Sequence, residues 1–202
     1  MADGVQRPGG RTARVRAAVL RAAGDVLAEQ GFAHLDLADL ARRAVVGRTT
    51  VYRRWGTVTN VVTDLLEDMA AESVSRTETG SLLGDLRANA QLVLRTLTDP
   101  RQGPLFKAVI AAATCDDDTA AALRQFYATR VAEWAPCVEQ AVDRGEAPAG
   151  TDAAEVVLAV SAPLYYRLLT GVAPLDDDAA ERAAVAAATA AGAGVYVVGR
   201  TG

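Results

Sequence analysis

The stretch from Asp36 to Gly56 has room for two short helices with a tight turn between them, and for little else. Asp36 is a natural N-cap, and Asp39 three residues on favours the positive end of a helix. Leu37, Leu40, Ala41 and Ala44 then share one face. Val45-Val46-Gly47 interrupts the pattern. A second segment follows over residues 48–55, with Val51 and Trp55 four apart on its inner face. Gly56-Thr57 ends it. Two short helices joined by such a turn form a helix-turn-helix, and small Ala41 stands where the first helix must let the second come close.

The rest of the chain is expected to be helical too. About one residue in five is Ala, and no stretch shows the β-branched alternation of a strand. Residues 1–10, with Arg7-Pro8-Gly9-Gly10, read as a flexible basic arm. A first helix is expected over residues 12–30, where Val15, Val19, Ala22 and Val26 form one apolar stripe and Gly31 stops it. Thr57 or Thr59 can cap a helix over 58–75, and residues 77–81 read as a polar linker. Further helices are expected at 82–97, 101–115, 119–145, 152–170 and 177–198. The Asp116–Asp118 and Asp176–Asp178 triplets read as helix starts. The expected class is therefore all-α. A three-helix domain containing the helix-turn-helix, with its arm, would occupy residues 1–60, and a larger helical domain residues 61–202.

Charge divides the same way. Residues 1–60 hold ten Arg and five acids, a net of +5, whereas residues 61–202 carry −9. A basic quarter on an acidic body suits a chain of which one end meets a polyanion. The outer face of the 48–55 segment has the matching chemistry. Arg48, Thr49 and Thr50 fill its first turn, the part of a recognition helix that meets bases. Arg53 and Arg54 suit phosphates or an outer base, and the Tyr52 hydroxyl can donate to a phosphate. Thr57 stands just beyond them.

Other function classes find little material. A single histidine, His34, and two distant cysteines, Cys115 and Cys137, both expected as buried thiols, supply neither a zinc site nor a catalytic triad. There is no GxGxxG or P-loop, so no cofactor and no metal is expected. The longest uncharged run, residues 183–199, is too short and too weakly apolar to cross a bilayer. The N-terminus has no apolar signal region and there is no CxxC, which fits a cytoplasmic protein.

Gly31-Phe32, the run from Leu35 to Ala44 and the run from Thr50 to Trp55 together resemble the N-terminal domain of TetR/AcrR-family transcriptional regulators. Arg144–Asp152 and Pro163–Leu169 are similar to the C-terminal domain of an actinobacterial-type branch. The resemblance implies a cytoplasmic homodimer, usually a repressor, assembled through its C-terminal helices and released from DNA by a small molecule. Three positions depart from the family pattern. Val45 stands where the turn usually has Gly, Gly47 where the cap is Ser or Thr, and Val58 where a Lys usually touches phosphate.

Phe106, Phe126, Trp134, Tyr165 and Tyr166 are the candidate lining of an effector pocket, with Tyr127 beside them. The same residues also suit an ordinary core. Two further readings stay open at this level. One is a helical ligand-binding protein with a weakened DNA head; the other is an enzyme, for which no acid, base or nucleophile cluster is evident.

Overall fold

The computed structural model describes residues 8–71 and 78–199. Among these residues every regular element is helical, apart from one isolated bridge between Thr151 and Val197. This is the all-α class read from the sequence. The order is α1 (Pro8–Gln30), a 3-10 turn (Phe32–His34), α2 (Leu37–Arg43), α3 (Arg48–Arg54), α4 (Val58–Ala71), α5 (Leu82–Thr98), α6 (Gln102–Ala113), α7 (Asp117–Asp143), α8 (Ala153–Thr170) and α9 (Asp177–Gly192). By contact the described residues form two compact units, residues 8–71 with 104–124, and residues 78–103 with 125–199.

In the first unit α1 packs on α4 and α2, and α2 packs on α3. Val19, Ala22 and Val26 of the α1 stripe are buried, as are Leu37, Leu40 and Ala41 of α2, Val51 of α3 with the following Trp55, and Val61, Val62, Leu65 and Leu66 of α4. Asp36 caps α2 as expected, accepting from the N–H groups of Ala38 and Asp39 at 2.9 Å each. The end of α2 sets the turn. Val45 N–H donates to Arg42 O at 3.2 Å and Val46 N–H to Ala41 O at 2.9 Å. That pair of bonds requires a left-handed residue after the cap, and Val45 supplies it with φ 55°.

In the second unit α5, α8 and α9 pack against one another. Ala179, Ala180, Ala183, Ala184, Ala187 and Ala191 make the buried face of α9. Their small side chains let the helices approach closely. Asp176 and Asp152 cap α9 and α8, and in the first unit Asp116 caps α7 by accepting from Thr119 N–H at 2.8 Å. The aspartate triplets are helix starts.

Three expectations need correction. Helix α1 begins at Pro8 rather than residue 12, because the fixed φ of proline suits a first helical position where its missing N–H costs nothing. Helix α9 stops at Gly192 rather than residue 198. Gly194 takes φ 75° there, and the chain turns back so that Val198 N–H bonds Gly150 O at 3.0 Å and Asp152 N–H bonds Tyr196 O at 2.8 Å. Cys115 is exposed in the turn after α6, while Cys137 is buried. Residues 72–75 of the expected fourth helix, and Arg7 of the arm, lie outside the described residues.

Candidate nucleic-acid interface

Helix α3 has two unlike faces. Val51 is fully buried and Trp55, its C-cap, is nearly so. Arg48, Thr49, Tyr52 and Arg53 are exposed, and Thr50 is half-buried. Among the described residues neither Arg48 nor Arg53 has a carboxylate partner, so both guanidinium groups keep their full donor set for an incoming acceptor.

Three other arginines of this unit are occupied. Arg42 and Arg43 both bind Asp39, and the Arg43 bond first, then that of Arg42, holds the Asp39 carboxyl below its usual range. Arg54 lies with its guanidinium 5.1 Å from the Trp55 ring centre and 3.9 Å from Asp64. Thr57 accepts from Asn60 N–H at 3.2 Å, so its hydroxyl is engaged in capping α4. Arg11 and Arg14 of α1 border an open groove of about 450 Å³ floored by Val15, Ala18, Ala44 and Val46. Val58 begins α4, half-buried.

One feature near α3 was not legible in the sequence. Asp64 of α4 accepts from the Trp55 indole Nε1–H at 2.9 Å and from Arg16 Nε–H at 2.8 Å. Arg16 also reaches Asp68. The hydrogen bond to Asp64 is the main reason the Arg16 guanidinium is held charged above its ordinary value. Asp64 and Asp68 stand four apart in the sequence, which marks them as neighbours on a helix but names neither Arg16 nor Trp55 as a partner.

The family comparison agrees with this geometry. The model described as bacterial regulatory proteins of the tetR family matches residues 19–60, covering the second half of α1 and all of the helix-turn-helix. A second, described as the tetracyclin repressor-like C-terminal domain, matches residues 76–187. The chain is a TetR-family transcriptional regulator. It is 32% identical to the HTH-type transcriptional regulator AqdR of Rhodococcus erythropolis, over 76% of this chain and 73% of that one. It is 30% identical to the HTH-type transcriptional regulator YdeS of Bacillus subtilis, over 75% and 77% of the two chains. Among solved structures, that of the TetR family transcription regulator SCO0332 superposes with a TM-score of 0.69 at 28% identity, covering 87% of this chain and 97% of that one.

A TetR-family regulator is a DNA-binding protein rather than an enzyme. In this one, four of the five candidate effector-site aromatics belong to the second unit. Phe126 and Trp134 are buried on α7, Tyr165 is half-buried on α8, and Tyr166 is 59% exposed. Phe106 is fully buried on α6, in the first unit. Phe126, Tyr127 and Tyr165 form a run of edge-on rings with centroids 5.4 and 5.5 Å apart. Burial pushes the Tyr165 hydroxyl up to about 12 and raises that of Tyr127 as well, so both stay protonated. The Arg130 guanidinium lies 5.4 Å from the Phe126 ring centre and pairs with Glu133 at 2.8 Å.

Proposed function

We propose that this chain is a cytoplasmic homodimeric repressor that binds a near-palindromic operator and is released by a small-molecule effector. Residues 1–60 read DNA, and residues 61–202 bind the effector and dimerise. The observation that carries the reading is the division of α3: its apolar face is buried while Arg48, Thr49 and Arg53 stand exposed, the two arginines without carboxylate partners. Thr50, Tyr52, Arg54 and Thr57 complete the assigned DNA face. Two such helices would enter successive major grooves about one helical turn apart.

Repression is supported by the repressor-like description of the matched C-terminal family. Dimerisation is supported by apolar side chains left outside on the last two helices: Leu158, Tyr166 and Leu169 on α8 and Val185 on α9. A second copy covering them would give a two-fold four-helix contact. Of the candidate aromatics, Phe126, Trp134, Tyr165 and Tyr166, which share the second unit, are assigned to the effector. It must bind one dimer state more tightly than the other, because the ratio of the two affinities limits the response.

Selection of bound sequences from a random duplex pool tests the reading. The expected result is an enriched inverted repeat with two footprints on one face of the duplex, bound by a particle of twice the chain mass. Enrichment of no sequence, or of a single unrepeated half-site bound by a monomer, overturns it.

A further inference from the structure

Helix α3 is only seven residues long, too short to hold its own shape. Its pose is therefore set by what grips it, and the grip at its carboxyl end comes from α4. Trp55 is held there twice. Its indole N–H donates to Asp64 Oδ2 at 2.9 Å, and its main-chain oxygen accepts from Asn60 Nδ2 at 2.6 Å. The other Asp64 oxygen, Oδ1, takes Arg16 Nε–H of α1 at 2.8 Å, and Arg16 Nη2 also reaches the main-chain oxygen of Asp64 at 3.2 Å. One carboxylate thus fastens the long first helix with one oxygen and the end of the reading helix with the other. The Asp64 side chain is only 18% exposed, so these bonds face little competition from water.

We propose that Asp64 is a positioning residue for DNA reading: it fixes the angle at which the exposed face of α3 meets the duplex. The proposal rests on the DNA reading above and adds a residue that faces no base. Base-edge contacts need side chains held within about 0.5 Å and 10–20°. Phosphate contacts orient the protein without reading sequence, and they tolerate a looser head. Loss of Asp64 therefore removes discrimination in preference to general DNA affinity. Asp68 serves as the internal comparison, because it binds Arg16 but not Trp55.

The test uses the full chain as Asp64→Ala, Asp64→Asn and Asp68→Ala. Each is held well below its own melting temperature, and its affinity is measured for the selected duplex and for a random duplex. Backbone amide exchange over residues 51–55 is followed in the DNA-free protein. Asp64→Ala is expected to lower the specific affinity about tenfold or more, with random-duplex affinity unchanged within about twofold. Its amides over 51–55 exchange faster. Asp64→Asn keeps an oxygen for the Trp55 N–H and restores most of the ratio, and Asp68→Ala leaves the ratio unchanged. The proposal is overturned if Asp64→Ala keeps the wild-type ratio, loses both affinities in parallel, or leaves the exchange of residues 51–55 as it was. A wild-type protein without any specific complex would instead overturn the DNA reading, and the exchange measurement would still decide whether Asp64 holds α3.

Discussion

Helices α2, α7 and α9 end with the same pair of backbone bonds, yet the first of these turns is built from different residues. After α7, Gly145 N–H bonds Val142 O at 3.0 Å and Glu146 N–H bonds Ala141 O at 2.8 Å. After α9, Gly194 and Val195 repeat the pattern, each at 3.0 Å. Both glycines are left-handed, with φ 77° and 75°. After α2 the left-handed position holds Val45, 90% exposed. A left-handed backbone costs an ordinary L-residue about 1–2 kcal/mol, and a β-branched one has least room there. At α7 and α9 glycine makes the turn easy locally. At α2 the turn is imposed from a distance, by the packing of Leu40, Ala41 and Val51 that sets the two helices of the reading head together.

The α7 turn is also used as a fastener. Glu146 accepts from Leu82 N–H at the start of α5, at 2.6 Å, and binds Arg144. Val45 has no comparable packing to offset its strain. The same backbone is therefore reached with little strain where it fastens one unit, and under strain where it leads into α3.

Substitutions can break or sharpen this contrast. The largest expected effect is from Gly145→Val. A Cβ there meets nothing within 4 Å, so the penalty is purely one of backbone conformation. Urea unfolding should show a loss of about 2 kcal/mol. A loss near zero would mean that the α7 turn relaxes around a side chain, and that the two ends do not differ in the way described. Next comes Asp36→Ala, which leaves the Ala38 and Asp39 N–H groups without their side-chain acceptor. It should destabilise the chain by about 1 kcal/mol, showing that α2 is fixed at its start as well as at its strained end.

Val45→Gly runs the other way. Relief of strain outweighs the added freedom of the unfolded chain, and stability should rise by about 0.5–1 kcal/mol. A fall would show that Val45 makes a contact worth more than its strain. Gly47→Ser is smaller still. It adds the hydroxyl cap that α3 lacks and should gain a few tenths of a kcal/mol in the same unfolding experiment.

Acid sharpens the other side of the comparison. Arg144, and secondarily Leu82 N–H, hold the Glu146 carboxyl below its ordinary range. A carboxylate depressed in the folded state contributes stability above its unfolded pKa, and that contribution is lost as pH falls through the folded one. Between about pH 5 and pH 3 the wild type should therefore lose more stability than Glu146→Gln. Parallel acid limbs for the two proteins would remove the fastening role.

Much of the reading head was legible because its signals are local. Asp36, Gly31, Gly56 and the Val51–Trp55 spacing each act within one or two helical turns. What escaped was either ambiguous locally or distant in sequence. Pro8-Gly9-Gly10 has the composition of a coil, but proline also starts helices, and only the whole of α1 decides between the two. The apolar run past Ala191 continues the pattern of α9, while Gly192 and Gly194 end it. The exposure of Cys115 depends on where α6 stops. The Asp64 junction joins residues 9 and 48 positions away, and such side-chain pairs leave no periodic mark. Tyr127 and Tyr165 were candidates singly, and their edge-on pairing depends on how α7 and α8 lie together.

The central claim is that the outward face of α3 reads a duplex. Anisotropy titration of a labelled duplex, enriched from the random pool, with wild type and with the Arg48→Ala plus Arg53→Ala double variant tests it most directly. The account predicts binding weaker by about tenfold or more in the double variant, with a shallower dependence on salt. Equal affinities with the same salt dependence would contradict it.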